Sequence, residues 1–386
     1  MAELQWERHN PAGRLRVVVT RRLPGETWLR VLAEADACVD VCCADGTRSA
    51  EEIRAAFGPR CDGCIGQLTE SWDENLLRAF KAAGGKVYSN YAVGYDNVDV
   101  ASATGFGIAV GNTPAVLTQA TAETAVALTL AAARRIVEAD AFMRKGLFHG
   151  WSPDLFLGEL LSGATVGIVG AGRIGAAYGR IMAEGFKANL LYYDPSENRA
   201  LERYLAAYGD FLAGRGERSL SCRRVAALES LLEEADIVSL HCVLTEGTRH
   251  MIDARRLSSM KETAILINTS RGPLIDEKAL VEHCLRHPRF RVGLDVYENE
   301  PAMSPGLAEL PNVVLLPHIG SATWWTRQAM AIIAARNVAG ILRGYPVWRG
   351  DDVSVFLGED APHAVPSVVN ALELGLPMVR PVESPG

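Results

Sequence analysis

Residues 165–175 decide how this chain is read: Thr165-Val-Gly-Ile-Val169 runs directly into Gly170-Ala-Gly-Arg-Ile-Gly175. The first five residues are mostly apolar and β-branched, which predicts a strand buried on both faces of a sheet. The next six have the Gly-x-Gly-x-x-Gly form of a strand-to-helix turn. Gly170 allows the tight turn, Gly172 lets main chain approach a pyrophosphate, and Gly175 lets the helix pack on the strand. The helix start then presents N–H groups and a positive dipole end to phosphates. Glycines also mark ordinary turns, so the context decides. The next strand candidate, Asn189–Tyr193, ends at Asp194. That is close to the ~20-residue offset of a carboxylate that holds the adenosine ribose hydroxyls. A carboxylate there repels a 2′-phosphate, so the pattern predicts NAD(H) in preference to NADP(H).

Four further strand candidates follow at Ile237–Leu240, Ala264–Asn268, Arg291–Leu294 and Val313–Leu316. Their apolar character suits a parallel sheet covered on both faces. The long interval from Asp194 to Asp236 is read as a helix and then a surface excursion with a polar tract, Gly214–Arg224. Upstream, the first third alternates strand candidates (Leu15–Thr20, Cys38–Cys42, Gly63–Leu68, Lys86–Asn90, Gly107–Val110) with helical runs at Glu26–Glu34 and Trp72–Ala83. That rhythm predicts a second, smaller parallel α/β unit. Between the units lies Leu117–Lys145, read as one helix that is apolar on nearly every face. Such a helix needs cover from another domain or another subunit. After His318 a helix is expected over Thr323–Arg343, followed by a Pro-punctuated tail.

Bulk properties agree with two soluble domains. A chain of 386 residues is too long for one ordinary core. Its net charge of −7 offers no basic face for nucleic acid. No apolar run reaches the length of a membrane span, about eighteen residues, and the N-terminus lacks a signal core. The basic bias of Arg14, Arg16, Arg21 and Arg22 is too weak for a transit peptide. Most of the eight cysteines sit in apolar, strand-like contexts, which suits buried thiols in a reducing, intracellular compartment. Cys61 and Cys64 have the spacing of a redox or metal half-site. They lack a second pair or a nearby histidine and are read as strand-edge residues, so no metal is expected.

The strands of the second unit share one property: each ends in a chemically active residue. After Gly170 and Asp194 come His241 and Cys242, then Thr269-Ser270-Arg271-Gly272, then Asp295 with Glu300, then His318. Ligands gather at the carboxyl edge of an open parallel sheet. Singly, these are ordinary loop residues; together they are suited to reducing an α-keto acid. His318 as imidazolium can donate a proton to the carbonyl oxygen. Glu300 can bond the other ring nitrogen, fix the ring and favour its charged form. Arg271 offers a planar fork of donors to carboxylate and carbonyl. Asp295 either orients cofactor, supports Arg271 or serves structure alone.

The same residues carry a family resemblance. Gly170–Gly175, Asn268-Thr-Ser-Arg-Gly272, Gly293-Leu-Asp-Val-Tyr-Glu-Asn-Glu-Pro301 and Leu316-Pro-His-Ile-Gly320 resemble the D-isomer-specific 2-hydroxyacid dehydrogenases. So do Ala92-Val-Gly-Tyr-Asp-Asn-Val-Asp99 and Gly111-Asn-Thr-Pro114. Residues 61–70, 132–143, 201–224 and 366–377 are similar to the plant-type hydroxypyruvate reductases within that family. The resemblance implies two doubly wound parallel-sheet domains, Rossmann-like and flavodoxin-like. A cofactor domain at 118–322 would be inserted in a discontinuous substrate domain at 1–117 and 323–386. It implies Arg271, Glu300 and His318 as the catalytic set, and NADH-dependent reduction of hydroxypyruvate to D-glycerate, with glyoxylate slower. It implies backbone donors at Val93 and Gly94 for the substrate carboxylate. Thr121, Arg173, Ile174, Asp194, Thr269 and Gly320 become cofactor contacts beside the three glycines, His241 and Asp295. Homodimerisation is also implied, with Trp151 at the neighbouring subunit's substrate mouth or, equally, packed within its own subunit or the dimer seam. Plant relatives end in a peroxisomal Ser-Lys-Leu signal where this chain ends Ser384-Pro385-Gly386, so mitochondrion and cytosol stay open. Relatives acting on glyoxylate, phosphoglycerate, D-lactate or formate share the main motifs, as does an NAD-sensing corepressor of the same fold.

Overall fold

The computed structural model describes residues 5–380, so the terminal Ser384-Pro385-Gly386 lies outside the described residues. The chain forms two compact units. One draws on the chain up to Leu117 and from Ala322 onward, and the other is Thr118–Ser321.

In the first unit, strands β1 (Trp6–His9), β2 (Leu15–Val19), β3 (Ala37–Cys42), β4 (Gly63–Gly66), β5 (Val87–Asn90) and β6 (Ala109–Gly111) form one sheet. Its order is β1-β3-β2-β4-β5-β6. All neighbours are parallel except β1, which runs antiparallel to β3. Sequence reading missed β1, whose side chains are mostly exposed and show no apolar alternation. Helices α1 (Thr27–Glu34), α2 (Ala50–Phe57), α3 (Glu74–Ala82) and α4 (Val100–Gly105) alternate with the strands. Short polar side chains set their starts where the sequence allows it. Ser49 and Glu52 make a reciprocal capping box on α2, and Asp73 caps α3. Trp72, Phe57, Phe80 and Tyr88 fill the core on one face. Cys61 and Cys64 lie in that same core, and burial pushes the Cys61 thiol up to about 12. Both pack there as buried free thiols, an environment that disfavours the reactive thiolate.

The second unit opens with the segment expected as one helix, and here the structure differs. It is two helices, α5 (Thr118–Ala133) and α6 (Ile136–Arg144), broken at Arg135, which adopts φ +53°. Arg135 turns back to Glu138 at 2.5 Å, and Glu138 also receives Arg291. Half of α5 is buried in its own unit, with Ala122, Ala125, Leu128, Ala132 and Ala133 in the core. None of α6 is buried.

Strands β7 (Thr165–Val169), β8 (Asn189–Tyr193), β9 (Cys222–Arg224), β10 (Ile237–Leu240), β11 (Ile265–Asn268), β12 (Arg291–Leu294) and β13 (Val313–Leu315) follow. They alternate with helices α7 (Arg173–Phe186), α8 (Arg199–Gly214), α9 (Leu228–Glu234), α10 (Ala254–Ser259) and α11 (Glu277–Arg286). The sheet is wholly parallel, in the order β13-β12-β11-β10-β7-β8-β9. Strand β9 lies in the stretch read as surface excursion. It is a polar edge strand, and only its pairing with β8 identifies it. The register is informative: Tyr193, Val169, Leu240, Asn268, Leu294 and Leu315 pair in one row across the sheet. The residue after each therefore emerges on the same edge. Strand order reverses at β7, which makes its carboxyl end the crevice where ligands bind in such sheets.

Helix α12 (Trp324–Leu342), capped by Thr323, returns to the first unit and packs on α1, β4 and β5. The tail is more ordered than its prolines suggest. It closes with β14 (Val347–Trp348) parallel to β15 (Met378–Val379). No helix among the described residues is long and apolar enough to cross a membrane.

Candidate active site

The three glycines after β7 do different work. Gly170 sits at φ +92°, and a Cβ there would lie 2.6 Å from the Cys242 nitrogen. Positive φ and the closeness of the β10 end both demand glycine. A Cβ on Gly175 would stand 2.1 Å from the Gly170 carbonyl oxygen, so α7 rests directly on the turn. A Cβ on Gly172 would meet nothing within 4 Å. It is the open side of the cradle, and no side chain of this unit fills it. Gly172 is also the N-cap of α7 and supplies no side-chain acceptor to the helix. An uncapped helix start behind an open glycine fits a pyrophosphate.

Asp194 stands beside this cradle and helps to build it. Its carboxylate accepts the Ala171 N–H at 2.9 Å and the Ser196 N–H at 2.8 Å. Asn198 donates to the Ala171 carbonyl from the other side at 2.7 Å. Arg173 is exposed and Ile174 half-buried at the start of α7. On the neighbouring strand ends, Thr269 holds a buried hydroxyl with no hydrogen-bond partner among the described residues. A buried hydroxyl is rarely left so, which suits a ligand contact. Thr121 is buried beside Gly320, whose missing Cβ leaves 3.5 Å to the Thr121 methyl. His241 bonds Ser239 at 2.9 Å and tilts against the Tyr178 ring. Burial pushes its pKa down to about 3, so it stands neutral beside the cradle.

The catalytic candidates come together on the β11–β13 side. His318 Nδ1 lies 2.8 Å from Glu300 Oε2, and the other Glu300 oxygen accepts the Tyr297 N–H at 3.0 Å. Burial alone would raise the Glu300 pKa. The His318 hydrogen bond and charge, the Tyr297 N–H and the Arg271 guanidinium outweigh it and hold the carboxyl below its ordinary value. Glu300 is therefore a carboxylate under working conditions. His318 itself occupies φ +55°, a conformation uncommon outside glycine.

What holds that backbone is Asp295. It is almost fully buried and accepts the Ile319 and Gly320 N–H groups, each at 2.7 Å. Of the roles open to it, fixing the His318 loop is the one its bonds describe. Burial pushes its carboxyl up, against the pull of those two N–H groups and the His318 charge.

Arg271 begins a 3₁₀ turn, Gly272–Leu274, and one of its guanidinium nitrogens donates to the Ser270 carbonyl at 2.8 Å. A Cβ on Gly272 would fall 1.9 Å from the Tyr297 carbonyl. The Arg271 turn is thus pressed onto the backbone that leads to Glu300. Sequence reading placed Gly272 and Tyr297 within motifs but gave neither a role of its own. Tyr297 also donates its hydroxyl to the Leu316 carbonyl at 2.8 Å, joining the Glu300 turn to the strand before His318. A glycine directly after Arg271 signals a close backbone approach, whereas a tyrosine inside a motif does not say which carbonyl it will take.

Val93 and Gly94 belong to the first unit. The carbonyls of Ala92, Val93 and Gly94 accept from the Thr113 N–H, the Asn112 side chain and the Asn90 side chain, each at 2.8 Å. Three fixed carbonyls hold this loop in one conformation. Trp151 is 84% exposed, which removes the reading that it packs within its own subunit.

Comparison with known proteins bears on this geometry. The family model for the D-isomer specific 2-hydroxyacid dehydrogenase, NAD binding domain, matches residues 126–320. The chain is 54% identical to the peroxisomal glycerate dehydrogenase HPR of Arabidopsis thaliana, over 97% of this chain and 98% of that protein. It is also 54% identical to glycerate dehydrogenase of Cucumis sativus, over 96% and 98% of the two chains. Among solved structures, a protein of Thermus thermophilus superposes with a TM-score of 0.77 at 37% identity, covering 92% of this chain and 100% of its own. The chain therefore belongs to the D-isomer specific 2-hydroxyacid dehydrogenase family, and the strand ends that hold Arg271, Glu300 and His318 lie within its NAD-binding domain.

Proposed function

We propose that this protein reduces hydroxypyruvate to D-glycerate with NADH, and glyoxylate to glycolate more slowly. The observation that carries the reading is the near full-length likeness to plant glycerate dehydrogenases. The site supports it with a histidine already paired to a carboxylate.

Bound NADH would supply the hydride to the substrate's carbonyl carbon. The cradle of Gly170, Gly172 and Gly175, with Arg173, Ile174, Asp194, Thr121, His241, Thr269 and Gly320 around it, would hold the dinucleotide. Asp295 contributes by fixing the Gly320 backbone. Because Glu300 occupies Nδ1 of His318, the proton for the carbonyl oxygen comes from Nε2. Arg271 engages the substrate carboxylate and carbonyl, where its fork gives both orientation and charge stabilisation as negative charge builds on oxygen. Val93 and Gly94 offer backbone N–H groups to the carboxylate from a loop that needs no ordering on binding. On this reading the first unit is the substrate domain.

The subunit is further assigned to a homodimer in which Trp151 serves the partner's substrate mouth. Support comes from the apolar residues that α6 and the segment after it expose: Ile136, Val137, Met143, Phe148, Leu157 and Leu160. A reducing compartment suits the buried thiols of Cys38, Cys42, Cys61, Cys64 and Cys284.

The test is NADH oxidation with hydroxypyruvate, glyoxylate and pyruvate at matched low concentrations. Hydroxypyruvate should give the highest kcat/KM. A pyruvate value equal to it or above it rejects the substrate and leaves the family in place.

A further inference from the structure

Glu277 is a buried carboxylate that the reaction as described does not use. It occupies the first turn of α11 and is 2% exposed. The helix does not need it there, because Asp276 already caps α11 by accepting the Ala279 N–H at 3.0 Å. The Glu277 side chain turns instead to a neighbouring loop. One oxygen accepts the Glu298 N–H at 2.6 Å and the other the Ser304 N–H at 3.1 Å. These two amides bracket Glu300. A buried charge is costly unless fully bonded, and here its bonds go to the two ends of the turn that carries the partner of His318.

The clamp is reciprocal. Glu298 returns one oxygen to the Glu277 N–H at 3.3 Å, and its other oxygen lies 2.6 Å from His250 Nε2. The His250 N–H donates to the Pro273 carbonyl at 2.8 Å, two residues beyond Arg271. The turns bearing Arg271 and Glu300 are therefore fastened to each other through His250 and Glu298, and to α11 through Glu277.

We propose that Glu277 is a positioning residue for the reaction: it sets the Glu300 turn so that the carboxylate meets His318. This rests on the reading of Glu300 and His318 as the catalytic pair. The contact is made through main-chain amides, so the effect on chemistry passes wholly through Glu300.

A double-mutant cycle of Glu277→Gln and Glu300→Gln tests it, with His318→Asn as reference and hydroxypyruvate reduction followed across pH. Glu277→Gln should lower kcat about 10-fold, since small misplacements of catalytic groups carry large rate penalties. The alkaline limb should move to lower pH, as in Glu300→Gln, while NADH affinity by fluorescence titration stays within about twofold. In the Glu300→Gln background the same change should cost little more, because the group it positions is already disabled. If Glu277→Gln does not fold, Glu298→Gln takes its place in the cycle and is expected to behave alike. Independent, multiplying losses in the two variants, or a kcat loss with an unmoved pH limb, would overturn the positioning role. If His318→Asn keeps parental kcat, the catalytic pair itself is misassigned, a result distinguishable from failure of the clamp.

Discussion

Glu300 and His318 are paired directly in the second unit, 2.8 Å from carboxylate oxygen to Nδ1. The relationship is mutual. After burial, which acts the other way, the His318 hydrogen bond is the first influence that lowers the Glu300 pKa. In return the Glu300 carboxylate holds the orientation of the ring through Nδ1. Glu300→Gln removes the charge and keeps the shape. Reduction, which needs the protonated ring, should then fade at lower pH than in the parent. The acid side should change little, and kcat should fall at least ~10-fold. A pH–rate profile for both proteins decides it; coincident alkaline limbs would assign the proton to another donor.

Asp194 is predicted to set cofactor choice. Asp194→Ser and Asp194→Ala remove like-charge repulsion of a 2′-phosphate and should shift the kcat/KM ratio toward NADPH. The structure adds a second consequence. Asp194 accepts the Ala171 N–H inside the glycine turn, so NADH binding should weaken as well, and more in the alanine variant. A parent enzyme that already prefers NADPH would refute the role given to this carboxylate.

Glu70 should make the first unit less stable as pH rises. Burial pushes its carboxyl up to about 7 from 4.5, against the opposing pull of its hydrogen bonds from Thr20, Gln67 and Trp72 and of the Arg48 charge. A folded-state pKa above the unfolded value means stability is fullest below about 4.5 and is lost as pH climbs through about 7. Glu70→Gln should therefore raise Tm by about 2 °C or more near pH 8 and much less near pH 5. Thermal melts at the two pH values provide the check, and an equal shift at both would contradict the buried-acid account.

Trp151 and the exposed face of α6 should be covered by a second copy of the chain. Sedimentation at micromolar concentration is expected to show a dimer, since so many large apolar side chains are poorly suited to water. Trp151→Ala should leave the dimer intact while weakening discrimination between hydroxypyruvate and bulkier keto acids. A monomeric parent removes both expectations; an unchanged substrate ratio confines Trp151 to the interface.

Periodicity and turn chemistry made much of this protein legible from residues alone. The six strands Thr165–Val169, Asn189–Tyr193, Ile237–Leu240, Ile265–Asn268, Arg291–Leu294 and Val313–Leu315 are short, mostly apolar and largely buried, so each announces itself locally. Gly170–Gly175 did so too, because a strand, a turn and a helix start are all written within eleven residues. What escaped were elements whose stability is borrowed. Strands β1 and β9 exist through pairing with a neighbour, and the break at Arg135 has no proline or glycine to signal it.

The candidate site divides in the same way. Reactive residue types at strand ends are a one-dimensional pattern, and Arg271, Glu300 and His318 stand out there. Their geometry is not one-dimensional. Asp295 reaches across to the Ile319 and Gly320 amides, Tyr297 ties its turn to Leu316, and Glu277 grips the amides on either side of Glu300. Each of these bonds joins residues 19 to 27 positions apart, between a side chain and a main-chain group. A main-chain N–H or carbonyl is the same in every residue except proline, so no side-chain pattern marks which one a distant carboxylate or hydroxyl will take. Sequence by itself determined the fold class, the dinucleotide turn and the candidate reacting groups, because those depend on local composition and spacing. Only the tertiary structure decided what holds them in place, because that depends on which backbone amides the folded chain brings within reach of a buried carboxylate.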